Sequence, residues 1–299
     1  MRRTVYKTMS EHILETPEAD LAYDLLGATP AESAHRPLLM IGQPMTAAGF
    51  ATLASYFPDR TVITYDPRGL GRSVRKDGRT DNSPTVQAED VHTLLTALGF
   101  GPVDLFASSG GAVTALALVA AHPDDISTLV AHEPPLLRVL PDAAAAERAQ
   151  QGVRDAYRAK GSFAGMAAFI ALTSWQGEFT EAYFAQPPAD PAMFGMPTED
   201  DGTRDDPLLS DRSDAITAYT PDIAALQAAT TRILIAVGEE SAGTLTARTA
   251  EATAALLGTT PVIFPSHHGG FTGSDSGYPG QPEPFAAKLR AVLDAEAER

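Results

Sequence analysis

Two adjacent serines follow an apolar run in Val103-Asp-Leu-Phe-Ala107-Ser108-Ser109-Gly110-Gly111. A serine hydroxyl held on a tight strand-to-helix turn can attack a carbonyl carbon. Neighbouring side chains decide which serine fits, because in so strained a turn the residues two before and two after collide unless they are small. Ser109 has Ala107 and Gly111 at those places, whereas Ser108 has Gly110 and the bulky Phe106, so sterics select Ser109. The turn could instead cradle a phosphate, but neither G-x-G-x-x-G nor the G-x-x-x-x-G-K-S/T pattern is present. Taken alone, a plain βα turn with serines capping the helix accounts for it equally well. Near neutral pH catalysis would also need a histidine to take the serine proton and a carboxylate to orient that histidine. Seven histidines are present and cysteine is absent, which excludes disulfides, thiolate metal ligands and a cysteine nucleophile.

The elements that would position this turn read as a wound α/β layer. Residues 21–26, 38–41 and 62–65 are apolar runs that predict strands, the last two buried on both faces and so suited to a parallel sheet. Ser83 as cap, Pro84 in the first turn, the Val91, Leu94, Leu95 and Leu98 face and the Gly99 stop predict a helix over 83–99. A strand at 103–106, a helix at 111–121 and a strand at 128–131 continue a βαβ alternation. From 143 to 160 and 163 to 175 the pattern is helical, and 186–214 is rich in Pro, Gly and Asp, with an acidic loop at 199–206 expected to be solvated and mobile. Alternation resumes with a strand at 232–237, a helix at 246–257, a strand at 262–264 and a helix at 284–297. Residues 1–135 and 226–299 therefore read as one core, with 136–225 inserted.

Three further landmarks fall in order around the serine turn, and together they resemble the α/β-hydrolase superfamily over most of the chain. Met40-Ile-Gly42-Gln43-Pro44 resembles the family's oxyanion loop, with Ile41 in place of the usual histidine. Asp66-Pro-Arg68-Gly69-Leu-Gly71-Arg-Ser73 resembles its D-x-R-G-x-G-x-S segment, in which Asp66 and Arg68 read as a loop clamp. The resemblance implies a base in the loop after the last strand, where Phe264-Pro-Ser-His267-His268-Gly-Gly-Phe271 stands. His268 is preferred because Gly269-Gly270 lets the backbone turn and present its ring, with His267 as the alternative. The family's usual acid position, in Gly238-Glu239-Glu240-Ser241, is a serine. A second arrangement, found in some haloalkane dehalogenases, places a glutamate at the end of the sixth strand, and Leu129-Val-Ala-His132-Glu133-Pro134 resembles it. Glu133 is thus the expected acid, with Glu239 or Glu240 next in line. The oxyanion hole would use the backbone N–H groups of Gln43 and Gly110.

The resemblance implies an α/β-hydrolase fold, a doubly wound, mostly parallel sheet with a helical cap at 136–225 over the strand ends. Phe163, Met166, Phe169, Ile170, Trp175, Phe179, Tyr183 and Phe184 are expected mostly to pack the cap itself, with a subset facing the nucleophile as an apolar pocket that the flexible Met193 to Met196 stretch could reshape. The expected chemistry is hydrolysis of a small, fairly apolar carboxylic ester or lactone through an acyl-enzyme at Ser109, without metal or cofactor. Carbon–carbon bond hydrolysis, amide cleavage and perhydrolysis use the same triad, and a non-enzymatic small-molecule binding protein would keep the fold alone. A formal charge of −16 argues against nucleic acid and anionic membranes as partners. No apolar run reaches the roughly 18 residues of a bilayer span. The start, MRRTVYKTMSEHILETPEAD, lacks the apolar segment of a signal peptide, so the expected location is the cytoplasm.

Overall fold

The computed structural model describes residues 10–295. Runs without a polar alternate become strands buried at every position, as in β3 (Leu38–Gln43) and β4 (Thr61–Tyr65). They join β1 (Ser10–Glu15), β2 (Ala19–Gly27), β5 (Val74–Arg75), β6 (Val103–Ser109), β7 (Ile126–His132), β8 (Arg232–Gly238) and β9 (Val262–Phe264) in one sheet. Its order is β1-β2-β4-β3-β6-β7-β8-β9, with β5 paired to β2. From β4 through β9 every pairing is parallel. The run at 21–26 departs from this pattern: as β2 it pairs antiparallel with β1 and β4. Only Thr16-Pro17-Glu18 joins β1 to β2, too short for a parallel crossover. β1 gave no apolar signal because its side chains are mostly exposed. The short β5 also shifts the count, so the family's sixth strand is β7 here.

Helices cover both faces of the sheet. These are α1 (Ala51–Ala54), α2 (Pro84–Leu98), α3 (Gly110–Ala121), α4 (Ala143–Ser174), α5 (Glu181–Phe184), α6 (Asp214–Thr217), α7 (Ile223–Ala228), α8 (Leu245–Leu256) and α9 (Pro282–Asp294). One core packs α2, α3 and α8 on one face, through residues such as Val91, Leu116 and Ala250. The other packs α1 and α9 through Leu53, Phe285 and Leu289. α3 is apolar all round and buried from Gly110 to Val119, as a helix enclosed on every side must be. Ser83 precedes α2 in extended geometry, yet its hydroxyl meets Thr85 Oγ1 at 3.0 Å and makes no capping bond to the backbone. Gly99 ends α2 in the left-handed conformation, as its sequence position implied.

Between β7 and β8, the expected helices at 143–160 and 163–175 are the two arms of α4. They break at Gly161, where φ 81° and ψ −168° exclude any residue with a Cβ. Leu137, Val153, Tyr157, Leu172, Phe179 and Leu209 form a separate cluster with Leu245 of α8, while Ile216 of α6 already belongs to the main core. The acidic loop is exposed as expected but not loosely attached. Asp201 Oδ1 accepts from the Ser162 N–H, Arg204 Nε donates to the Arg158 carbonyl, and the Asp206 N–H donates to Tyr157 Oη. Among the described residues no helix is long and apolar enough to cross a membrane. Residues 1–9, part of the segment read above for a signal peptide, and 296–297 of the expected last helix lie outside them.

Candidate active site

Parallel strands linked by right-handed crossovers bring their carboxyl ends and the helix N-termini to one edge, where ligands bind in open α/β sheets. Ser109, Glu133 and His268 all come to that edge, following β6, β7 and β9. Among the described residues only three non-glycine positions have positive φ: Ser109 at 56°, Glu133 at 48° and Ser266 at 69°. Each lies in one of those three segments. Such backbone costs on the order of 1–3 kcal/mol per residue and persists only where the surroundings enforce it. At Ser109 the enforcement is visible. A Cβ on Gly111 would fall 2.6 Å from Gly42 Cα, so α3 abuts β3 too closely for anything but glycine two residues past the serine. Ser108, in contrast, is an ordinary strand residue, 3% exposed, its Oγ 3.5 Å from His132 Nδ1.

Glu133 is fully buried and meets His268 directly, Oε2 to Nδ1 at 2.6 Å. Two more donors hold the carboxylate: the Gly238 N–H to Oε1 at 2.9 Å and Thr246 Oγ1 to Oε2 at 2.6 Å. Burial would push the Glu133 carboxyl up, but the His268 hydrogen bond and charge, with Thr246, hold it below the usual carboxylate range. An ionised carboxylate only accepts, so His268 carries its proton on Nδ1 and leaves Nε2 free for another partner. His132 stacks 6.0 Å from His268 among Phe106, Phe264, Phe271 and Phe285, and burial lowers its pKa to about 4, keeping it neutral.

The alternatives are engaged elsewhere. His267 accepts from the Gly269 N–H at Nδ1, contacts the Pro279 carbonyl through Nε2 at 3.1 Å and packs on Tyr278. Glu240 accepts from Gln281, and Glu239 comes no nearer than 3.5 Å to the Ser266 N–H. The turn that presents His268 takes its positive φ at Ser266, with neither Gly269 nor Gly270 in that region. Gly270 serves instead by closeness, since a Cβ there would lie 2.8 Å from the Pro265 carbonyl. Thr246 was not legible from sequence: a threonine in the first turn of α8 has no distinguishing neighbour, and only the missing acid at Ser241 hinted that another group must serve this corner.

Gln43 ends β3 in register with Ser109, and Gly110 opens α3, so both residues expected to supply the oxyanion hole adjoin the serine. Asp66 accepts from the Ala47 N–H at 2.8 Å and the Arg72 N–H at 2.9 Å, tying the loop after β4 to the chain that follows Gln43-Pro44, a cis peptide. Among the described residues, the group nearest to a metal-ligand arrangement is His92, His122 and Asp125, remote from this edge at the far end of α3. There the two rings stack at 3.7 Å and each meets a carboxylate, His92 with Asp125 and His122 with Glu89.

A sheet of this order with a serine elbow defines a known class. The family model described as alpha/beta hydrolase fold matches residues 38–180, and the chain has the α/β-hydrolase fold. It is similar to an uncharacterized hydrolase, YraK, of Bacillus subtilis, at 32% identity over 134 residues. That match takes in 44% of this chain and 48% of the relative, so the chain spans about half the length of that relative. Among solved structures, a thermophilic esterase from Thermogutta terrifontis superposes with TM-score 0.62 at 22% identity, over 97% of this chain and 99% of that one. A mutant form of the N-acyl homoserine lactonase AidH, complexed with N-hexanoyl homoserine, gives 0.61 at 17% identity, over 96% and 97%. At these identities the likeness speaks for the shared fold.

Proposed function

We propose that this protein is a serine hydrolase of small, fairly apolar carboxylic esters or lactones, with Ser109 as nucleophile, His268 as base and Glu133 as the orienting acid. The observation that carries the reading is the 2.6 Å bond from a buried, multiply held carboxylate to His268, at the same sheet edge as a serine in strained geometry. In the proposed cycle His268 Nε2 takes the Ser109 hydroxyl proton as Oγ attacks the acyl carbon. The N–H groups of Gln43 and Gly110 hold the oxyanion that forms. The tetrahedral species expels the alkoxide, which leaves as alcohol with the proton from His268. Water then repeats the sequence on the acyl-enzyme, releasing the acid and restoring the serine. Glu133 stays ionised throughout and stabilises the imidazolium.

The segment 136–225 would act as the lid. Phe163, Met166, Phe169, Ile170, Trp175, Tyr183 and Phe184 are only half buried, which leaves apolar surface for a substrate, while Phe179 is spent on internal packing. Labelling with a fluorophosphonate, alongside hydrolysis of p-nitrophenyl butanoate, tests the reading. Ser109→Ala is expected to abolish labelling and lower turnover by about 10⁴-fold or more, with Ser108→Ala still labelled. Labelling that survives Ser109→Ala and disappears with Ser108→Ala would move the nucleophile by one residue. No labelling of the folded parent would favour a binding protein.

A further inference from the structure

The side chain of Gln43 has no explanation in the hydrolytic cycle, which uses only its backbone N–H. It is 5% exposed, and neither Oε1 nor Nε2 has a hydrogen-bond partner. Its place is beside the nucleophile. Gln43 pairs in register with Ser109, and a Cβ on Gly110 would lie 2.9 and 3.1 Å from Gln43 Cβ and Cγ, so the side chain lies over the first residue of α3. Two more buried polar atoms without partners belong to helices that start at this edge: Thr114 Oγ1, one turn into α3, and Gln87 Nε2, in the first turn of α2.

Buried carboxamides are almost always satisfied, so one with both ends open next to a reactive serine marks a group supplied by a ligand. A carboxamide offers two donors and one acceptor. The simplest group that meets both ends is a hydroxyl, whose oxygen accepts from Nε2 while its proton goes to Oε1. We infer that Gln43 is a specificity residue, and that the preferred acyl group carries a hydroxyl on its second or third carbon. This rests on the serine-hydrolase reading for the position of the acyl chain, and it narrows the substrate class from plain alkanoyl esters to hydroxyacyl esters or lactones. A hydroxyl buried without such a partner would bind worse than the hydrocarbon it replaces, so the sign of the discrimination reports the contact.

The test uses the Ser109→Ala protein, in which no turnover interferes, and compares dissociation constants of methyl 3-hydroxybutanoate and methyl butanoate by NMR titration. The hydroxy ester is expected to bind about tenfold tighter, and adding Gln43→Leu to bring the ratio to one or below. In protein with Ser109 intact, the kcat/KM ratio of the corresponding p-nitrophenyl esters should fall in parallel with Gln43→Leu. That ratio cancels any common effect on the oxyanion site. Equal binding of the two methyl esters before any change at Gln43 overturns the inference, whether or not the leucine variant folds. So does a ratio that Gln43→Leu leaves intact. A parent that turns over neither p-nitrophenyl ester, while its Ser109→Ala form still shows the binding preference, would sink the hydrolase reading and leave the Gln43 contact standing.

Discussion

Two groups of buried polar residues sit on the carboxyl edge of the sheet, and they solve the cost of burial in opposite ways. After β4, the buried Asp66 and Arg68 each find charged partners, Asp66 in the exposed Arg72 and Arg68 in Asp90 and Asp77. Arg68 donates from Nε and Nη2 to both oxygens of Asp90 and from Nη1 to Asp77, and Arg72 donates to Asp66 and to both oxygens of Asp24. Positive φ in that loop falls on Gly69 and Gly71, which tolerate it. After β6, β7 and β9 the strained positions are instead a serine, a glutamate and a serine. There Gln43 and His132 Nε2 keep open hydrogen-bonding capacity. The first group spends its polar atoms on holding a loop. The second stores strain and leaves donors and acceptors for something else, which is the pattern of a reactive site.

The sharpest way to break this contrast is at Glu133. Glu133→Gln keeps shape and burial but removes the charge that steadies the imidazolium, so kcat on p-nitrophenyl butanoate is expected to fall about 10³- to 10⁴-fold. Stability should shift by only about 2 kcal/mol or less, since an amide can still accept one of the bonds. Near-parental turnover, measured with a urea melt on the same sample, would return the acid to Glu239 or Glu240.

The mirror-image experiment is Arg68→Met. It leaves the Asp90 carboxylate buried without its cation, while Asp77 keeps Arg75, at an expected cost of about 3–5 kcal/mol in unfolding free energy. The kcat per folded, titratable active site should stay within a few-fold of the parent. A large loss of kcat with stability intact would mean that the Asp66–Arg68 loop takes part in the chemistry, which its satisfied hydrogen bonds argue against.

The sequence was most legible where sterics or apolar runs left little choice. The serine turn reads from Ala107 and Gly111 because close approach to Gly42 admits only small side chains. β3 and β4 read as fully apolar strands because both their faces are covered. What did not read were relations across long separations. Glu133 and His268 stand 135 residues apart, and only the resemblance joined them. Thr246 and the Gly238 N–H hold the same carboxylate through contacts that leave no local pattern. β1 escaped because an exposed edge strand needs no apolar period, and the anchoring of the acidic loop escaped because its charge suggested solvent while its partners lay on α4.

The mildest expected effect concerns His132, which belongs by position to the edge of the proposed triad but by surroundings to the core. Burial lowers its pKa to about 4, from an ordinary value of 6.5. Between those values an unfolded chain binds a proton that the folded chain refuses, so the stability tied to this imidazole is complete above pH 6.5 and lost as pH falls toward 4. The size of that loss is at most about 3 kcal/mol. His132→Phe, placed among Phe106, Phe264, Phe271 and Phe285, removes the titration while filling the site. Urea melts at about pH 7.5 and about pH 4.5 should then show the variant losing about 2–3 kcal/mol less than the parent across that interval. Parallel losses in the two proteins would mean that His132 takes up its proton while folded. It would then stand with the reactive residues at this edge, as a charge facing His268, and its apolar neighbours would no longer explain why it is there.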